Sequence, residues 1–140
     1  MSQEKVDLTI NISGSWWRNP PAARVYLNNE LLFDDLVRDP KEIKVKSVVL
    51  SEGNHTIRVE LHRKLPNETV VQDGKIVKDQ LLNIDEIKLD DIPLGYLLHQ
   101  NSTYLTDDGK DVKNCVNLGW NGTWSFSFTV PVYIWLLENF

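Results

Sequence analysis

The chain has 140 residues, 41% of them hydrophobic and 25% charged, which is one globular domain that can bury a core without a metal or disulfide staple. A net charge of −5, with 15 basic against 20 acidic residues and no Lys/Arg cluster, gives a nucleic-acid partner no electrostatic footing. The single cysteine, Cys115, excludes an internal disulfide framework and a four-thiolate zinc site.

Period-two alternation dominates from the start. Val6, Leu8, Ile10 and Ile12 face one way and Asp7, Thr9, Asn11 and Ser13 the other, as in a strand with one face in a core and one in water. A turn at Asn28-Asn29 separates runs at Arg24–Leu27 and Glu30–Phe33, and Ser51-Glu52-Gly53-Asn54 precedes a strand with Ile57, Val59 and Leu61 inward. Asp73-Gly74 joins Thr69–Gln72 to Lys75–Lys78 with residues that suit the positive φ angles of a tight hairpin. In Leu82–Leu89 the alternation slips by one residue, as a β-bulge at Asp85-Glu86 causes. Asn121-Gly122 then leads into Trp124, Phe126, Phe128 and Val130, which alternate with Ser125, Ser127 and Thr129. About ten short strands with no long helical pattern predict an all-β domain, a β-sandwich or jelly roll spanning residues 1–140.

The last ten residues differ. Pro131 opens Val-Tyr-Ile-Trp-Leu-Leu-Glu-Asn-Phe140, a segment compatible with a short helix and apolar almost all round. So short a segment needs packing to hold it. It either closes one end of its own sandwich or docks on a neighbouring subunit. The second alternative puts Tyr133, Trp135, Leu136 and Phe140 in an interface core of a homo-oligomer or larger assembly. No apolar run here reaches the length of a membrane span.

Little catalytic chemistry is visible. His55, His62 and His99 lack metal-ligand spacing and read as solvated surface histidines, and Cys115 reads as a small buried residue in a strand. No nucleophile elbow, phosphate loop or His-Glu-x-x-His motif occurs, so a non-enzymatic protein is expected. Asp107-Asp108-Gly109-Lys110-Asp111 lacks the oxygen spacing of an EF-hand and reads as a solvated turn, as does Asp90-Asp91. Five Asn-x-Ser/Thr sequons, from Asn11 to Asn121, occur in a chain that shows no apolar signal stretch at Met1–Leu8, so they read as compositional. The candidate ligand or partner loop is Trp16-Trp17-Arg18, which Pro20-Pro21 keeps out of the sheet. Adjacent indoles on an extended backbone point to opposite sides, so one is expected inward and one outward. The outward indole would stack on a sugar, fill a partner's pocket or cover the sandwich end.

The order of elements over residues 6–95, with Asp79-Gln-Leu-Leu82-Asn-Ile84-Asp85-Glu-Ile87 as its most specific motif, resembles the jelly-roll carbohydrate-binding modules that bind xylan through calcium. That resemblance implies a β-sandwich, a surface glycan as ligand and a calcium site with Asp79 and Asp85 as its metal candidates. The family's Arg-Asn pair is Gln80-Leu81 here, and its upstream Asn-Asp pair is Arg63-Lys64. Two cations where oxygen ligands belong repel a metal, so no cofactor is expected and calcium is disfavoured. The ending from Gly119-Trp120 onward resembles small virion proteins of tailed bacteriophages. It implies a capsid decoration, tail or baseplate component, made in the host cytoplasm, localised to the virion and contacting other virion proteins. A module that recognises a polysaccharide or cell-surface glycan is the alternative.

Overall fold

Alternating apolar positions converge on one core in the computed structural model, which describes residues 3–140. Met1 and Ser2, the start of the stretch read for an export signal, lie outside the described residues. The first half of the chain forms β1 (Gln3–Ser15), β2 (Ala22–Leu27), β3 (Glu30–Leu36), β4 (Lys41–Ser51), β5 (Gly53–His62), β6 (Val70–Gln72) and β7 (Lys75–Lys78). The second half adds β8 (Leu81–Leu89), β9 (Ile92–Pro93), α1 (Leu97–Gln100), β10 (Ser102–Thr106), β11 (Asp111–Lys113), β12 (Asn117–Leu118), β13 (Gly122–Val130) and α2 (Val132–Asn139).

One antiparallel sheet runs β12-β8-β1-β4 with β9 on β8, and the other runs β11-β10-β13-β5-β2-β3. Val6, Leu8, Ile10 and Ile12 from the first sheet meet Ile57, Val59, Leu61, Trp124, Phe126 and Phe128 from the second in one buried cluster. This is the all-β sandwich that alternation predicts, with thirteen strands among the described residues rather than about ten. The excess is mainly two- and three-residue edge pieces, β9, β11 and β12, too short to alternate. The expected bulge is present. Asn11 pairs with Glu86 and Ile12 with Ile84, which leaves Asp85 as the extra residue.

The eleven-residue β4 escapes sequence reading for a physical reason. Lys46 and Ser47 both stand opposite Asp7, and Ser47 has φ +53°, so the alternation breaks in the middle of the strand. The Ser47 N–H donates to Asp7 Oδ1 at 2.7 Å, and Lys41, Lys44 and Lys46 blunt this sheet edge against further pairing. His55 corrects the solvated reading. It is buried, with Nε2 2.7 Å from the Ser51 carbonyl and Nδ1 3.0 Å from the Asn28 amide. Cys115 lies half-buried in the irregular link between β11 and β12, not in a strand.

Register separates the two ends of the sandwich. Ser15 pairs with Leu81, Ala22 with His62 and Gly122 with Leu61, so the crossovers β1–β2, β5–β8 and β12–β13 leave from one end. Gln3 pairs with Ser51 and Val130 with Gly53 at the other end, where α2 begins. There the Val132 N–H donates to Glu4 Oε2 at 3.1 Å, and Trp135 packs edge-on against Phe126 and Phe128 at ring separations of 5.9 and 6.3 Å. The expected interface quartet is therefore divided. Trp135 and Leu136 belong to the core of their own sandwich, because that end needs an apolar lid. Tyr133 and Phe140 stay 69% and 68% exposed.

Trp135→Ala is expected to cost about 3–5 kcal/mol, as for other buried aromatic truncations. Phe140→Ser should stay within about 0.5 kcal/mol of wild type, the usual range for a surface change. Urea unfolding followed by circular dichroism measures both.

Candidate functional site

The crossovers β1–β2, β5–β8 and β12–β13, together with β3–β4, where Leu36 pairs with Ala22 and Lys41 with Ile12, form the loop end. As β1 leaves the sheet, a Cβ on Gly14 would lie 2.7 Å from the Val37 carbonyl oxygen and 2.8 Å from Pro21 Cδ, so only glycine fits. The chain then bends over Trp17–Asn19 instead of staying extended. Opposite-side placement of the two indoles needs an extended backbone, and here neither indole enters the core: both are 41% exposed. Trp17 Nε1–H donates to the Glu68 carbonyl at 2.8 Å, and the Lys78 ammonium sits 4.6 Å from the Trp17 ring centre.

A buried polar latch holds this loop to the β5–β8 crossover. Glu68, in a single 3-10 turn over Pro66–Glu68, is buried, and its carboxylate accepts the Asn19 side-chain amide at 2.8 Å and the Asn19 backbone N–H at 3.3 Å. The amide nitrogen of buried Gln80 donates to the Asn19 carbonyl at 2.8 Å, from the opposite side of the same crossover. Pro20 and Pro21 are buried beneath it.

Beside the latch lies the metal candidate Asp79. Its Oδ1 accepts from Lys64 Nζ at 2.6 Å, Thr69 Oγ1 at 2.7 Å and the Gln80 N–H at 2.8 Å. Lys64 Nζ also donates to the Gly119 carbonyl at 2.6 Å, and the lysine side chain is only 7% exposed. The Asn121 amide fixes the lysine backbone reciprocally, accepting from Lys64 N–H at 2.8 Å and donating to Lys64 O at 3.0 Å. Partial burial pushes the Asp79 carboxyl up, but the bonds from Lys64, Thr69 and the Gln80 N–H outweigh it, and the net displacement is below the ordinary 3.8. This set does not fit calcium, which takes six to eight oxygens: an ammonium already holds the carboxylate and the carbonyl. Asp85 stands exposed on its bulge, and no cluster of three metal-ligating side chains occurs among the described residues.

Trp120, which sequence reading did not single out as a site, sits next to this pair. It is 47% exposed, yet its backbone is locked: its N–H donates to Tyr104 Oη at 2.9 Å, while the Tyr104 hydroxyl donates to its carbonyl. Burial pushes the Tyr104 hydroxyl up to about 12, so it remains a donor throughout the neutral range. Shallow grooves of about 190 and 200 Å³ lie on either side of the indole, one against Lys64 and Leu65, the other against Asp79 and Ile76. Position was the available signal: a tryptophan between Gly119 and Asn121-Gly122 lies in a turn, not in a strand.

Arg18 lies on a separate wall of the same end, with Trp16, Arg38 and Arg63. The acidic stretch Asp107–Asp111 is the turn joining β10 and β11, closed by the Lys110 N–H donating to Thr106 Oγ1 at 2.9 Å. Asp90-Asp91, both at positive φ, turns β8 into β9.

Lys64→Met would leave the Asp79 carboxylate short of its cation and should cost about 2–3 kcal/mol, a buried-pair loss reduced by the solvent that reaches Asp79. Millimolar calcium should leave the melting temperature of wild type unchanged against chelator, since a cation stabilises only by binding the native state. Because the folded Asp79 pKa is depressed, the pair's contribution is complete above the ordinary 3.8 and is lost as pH falls through the folded value. The acid limb of wild-type stability should accordingly be steeper than that of Lys64→Met, as acid titration of the thermal midpoint would show.

No protein-family model and no curated protein matches the chain. Two solved structures do share its shape. One is the selenomethionine form of vCBM60, from work linking two families of calcium-dependent carbohydrate binding modules by circular permutation. Its TM-score is 0.56 at 13% identity, over 86% of this chain and 89% of that one. The other is vCBM60 in complex with galactobiose, with TM-score 0.54 at 12% identity, over 86% of this chain and 96% of that one. The likeness bears out the carbohydrate-module resemblance read from residues 6–95, whereas no comparison supports the virion resemblance. The chain has the fold of a calcium-dependent carbohydrate-binding module.

Proposed function

We propose that the protein is a non-catalytic glycan-binding module whose loop end recognises a saccharide without calcium. The observation that carries this reading is Trp120: a half-exposed indole, on a backbone held by the Tyr104 pair of hydrogen bonds and flanked by two grooves, beside an internal cation. An exposed indole face on a fixed backbone offers apolar area to the C–H face of a pyranose at reduced entropic cost. The Lys64 ammonium, fixed between Asp79 and Gly119, ties together the loops that frame that indole. The fold likeness to a module solved with galactobiose supports the same reading.

A second reading keeps the protein as a structural component of a phage particle. It draws on the exposed face of α2, where Tyr133, Ile134, Leu137 and Phe140 leave apolar surface in water at the end opposite the tryptophans. The two readings occupy different ends and are compatible.

Calorimetry across neutral and acidic oligosaccharides, in chelator, tests the principal reading. Binding of at least one glycan is expected, weakened about tenfold or more by Trp120→Ala, or about 1.4 kcal/mol. Absence of heat with every glycan, with and without calcium, would overturn it.

A further inference from the structure

A cleft larger than the grooves at Trp120 lies beside Trp16. It holds about 420 Å³, within the range of sites for small ligands. Its lining carries three arginines, Arg18, Arg38 and Arg63, on a protein whose net charge is −5. None of the three makes an ion pair among the described residues, where Arg24 does. The carboxylate in this lining, Glu68, is buried, and both of its oxygens are held by Asn19. The cleft is thus cationic against the trend of the molecule.

A further feature gives it a ligand's shape. Trp16, on the same wall, is half-exposed and offers an indole face.

Arg63 is held in place. Its backbone has φ +61°, and its Nε–H donates to His62 Nδ1 at 3.3 Å. Burial, with Arg24 and Arg63 close by, pushes His62 below its ordinary 6.5 against the smaller opposing pull of Asp34 and Glu60. The ring is therefore neutral at pH 7 and free to accept that bond, while the outer guanidinium nitrogens of Arg63 remain for a ligand.

We propose that this cleft takes an acidic sugar, a uronate residue of a polysaccharide, with Arg38, Arg63 and Arg18 on its carboxylate and the indole of Trp16 against its ring. The inference rests on the glycan-binding reading and names its ligand class. Planar guanidinium groups match a carboxylate in bidentate fashion, which accounts for arginine rather than lysine at all three positions. A bare inorganic anion would use the arginines but not the indole.

Calorimetry in chelator tests it with trimers of galacturonate, glucuronate and mannuronate, each against its carboxyl-reduced, neutral counterpart, and with inorganic phosphate. At least one uronate trimer should bind about tenfold or more tightly than its reduced form. Arg38→Gln, Arg63→Gln and Trp16→Ala should each weaken that binding about tenfold, with unchanged circular dichroism, while Phe140→Ser, at the opposite end of the sandwich, leaves it in place. Equal binding of acidic and neutral forms overturns the inference and leaves the glycan-binding reading standing. Uronate binding that survives the arginine variants also overturns it, by placing the site elsewhere. Phosphate binding as tight as the uronate reduces the cleft to a bare anion site and overturns the saccharide assignment. No heat with any saccharide removes the inference and the glycan-binding reading together.

Discussion

The Lys64 ammonium lies between the Asp79 carboxylate and the Gly119 carbonyl, each at 2.6 Å. Three chain segments meet there: the exit of β5, the entry of β8 and the crossover from β12 to β13. Two sheets packed by apolar side chains alone can slide or splay at an end where loops cross between them, because apolar packing is not directional. A charged, three-donor group buried to 7% exposure supplies direction. The pair also orders what surrounds it. Asn121 grips the lysine backbone, Thr69 and the Gln80 N–H complete the carboxylate, and Gln80 in turn pins the Trp16–Pro21 loop through the Asn19 carbonyl. The loops that carry the indoles of this end are therefore tied together through one ion pair and its hydrogen bonds, while Glu68 and Tyr104 hold Trp17 and Trp120.

The opposite end is organised by packing. Trp135 and Leu136 close the core there, and their burial leaves Tyr133, Ile134, Leu137 and Phe140 facing water. An eight-residue helix cannot hide apolar side chains on every side when it packs through one face. Because β1 and β5 run the length of the sandwich, surface at this end is well removed from the tryptophan loops. Contacts made by one end would leave the other end unobstructed.

Legibility followed periodicity. The inward sets on β1, β5 and β13 read directly, because a half-buried strand must alternate, and the slip at Asp85 read as a bulge because a skipped period has a single local cause. The hairpin at Asp73-Gly74 read from its turn residues, which do adopt positive φ. What failed to read depends on partners distant in sequence. His55 is buried because Asn28 and the Ser51 carbonyl satisfy it, and Asp7 imposes the break in β4 from another strand. Trp16 and Trp17 missed their expected sides because the latch to Glu68 bends the loop. The cleft arginines, 18, 38 and 63, are spread over 45 residues, and only the crossovers bring them together.

Sequence resemblance did place Lys64 and Asp79 in one site, and the consequence is chemical. A calcium ion carries two charges and keeps coordination positions for ligand oxygens beyond those its protein fills. An ammonium has three N–H donors, and two of them are already engaged by Asp79 and Gly119. The buried cation can therefore hold the loops, but it has little capacity left for a pair of sugar hydroxyls. Affinity at this end, on the proposed reading, has to come from groups that water reaches: the faces of Trp120 and Trp16, and the guanidinium groups beside Trp16. On that reading, recognition sits at the rim of the loop end rather than at its centre. There, fixed positive charge favours an acidic ligand over a neutral one.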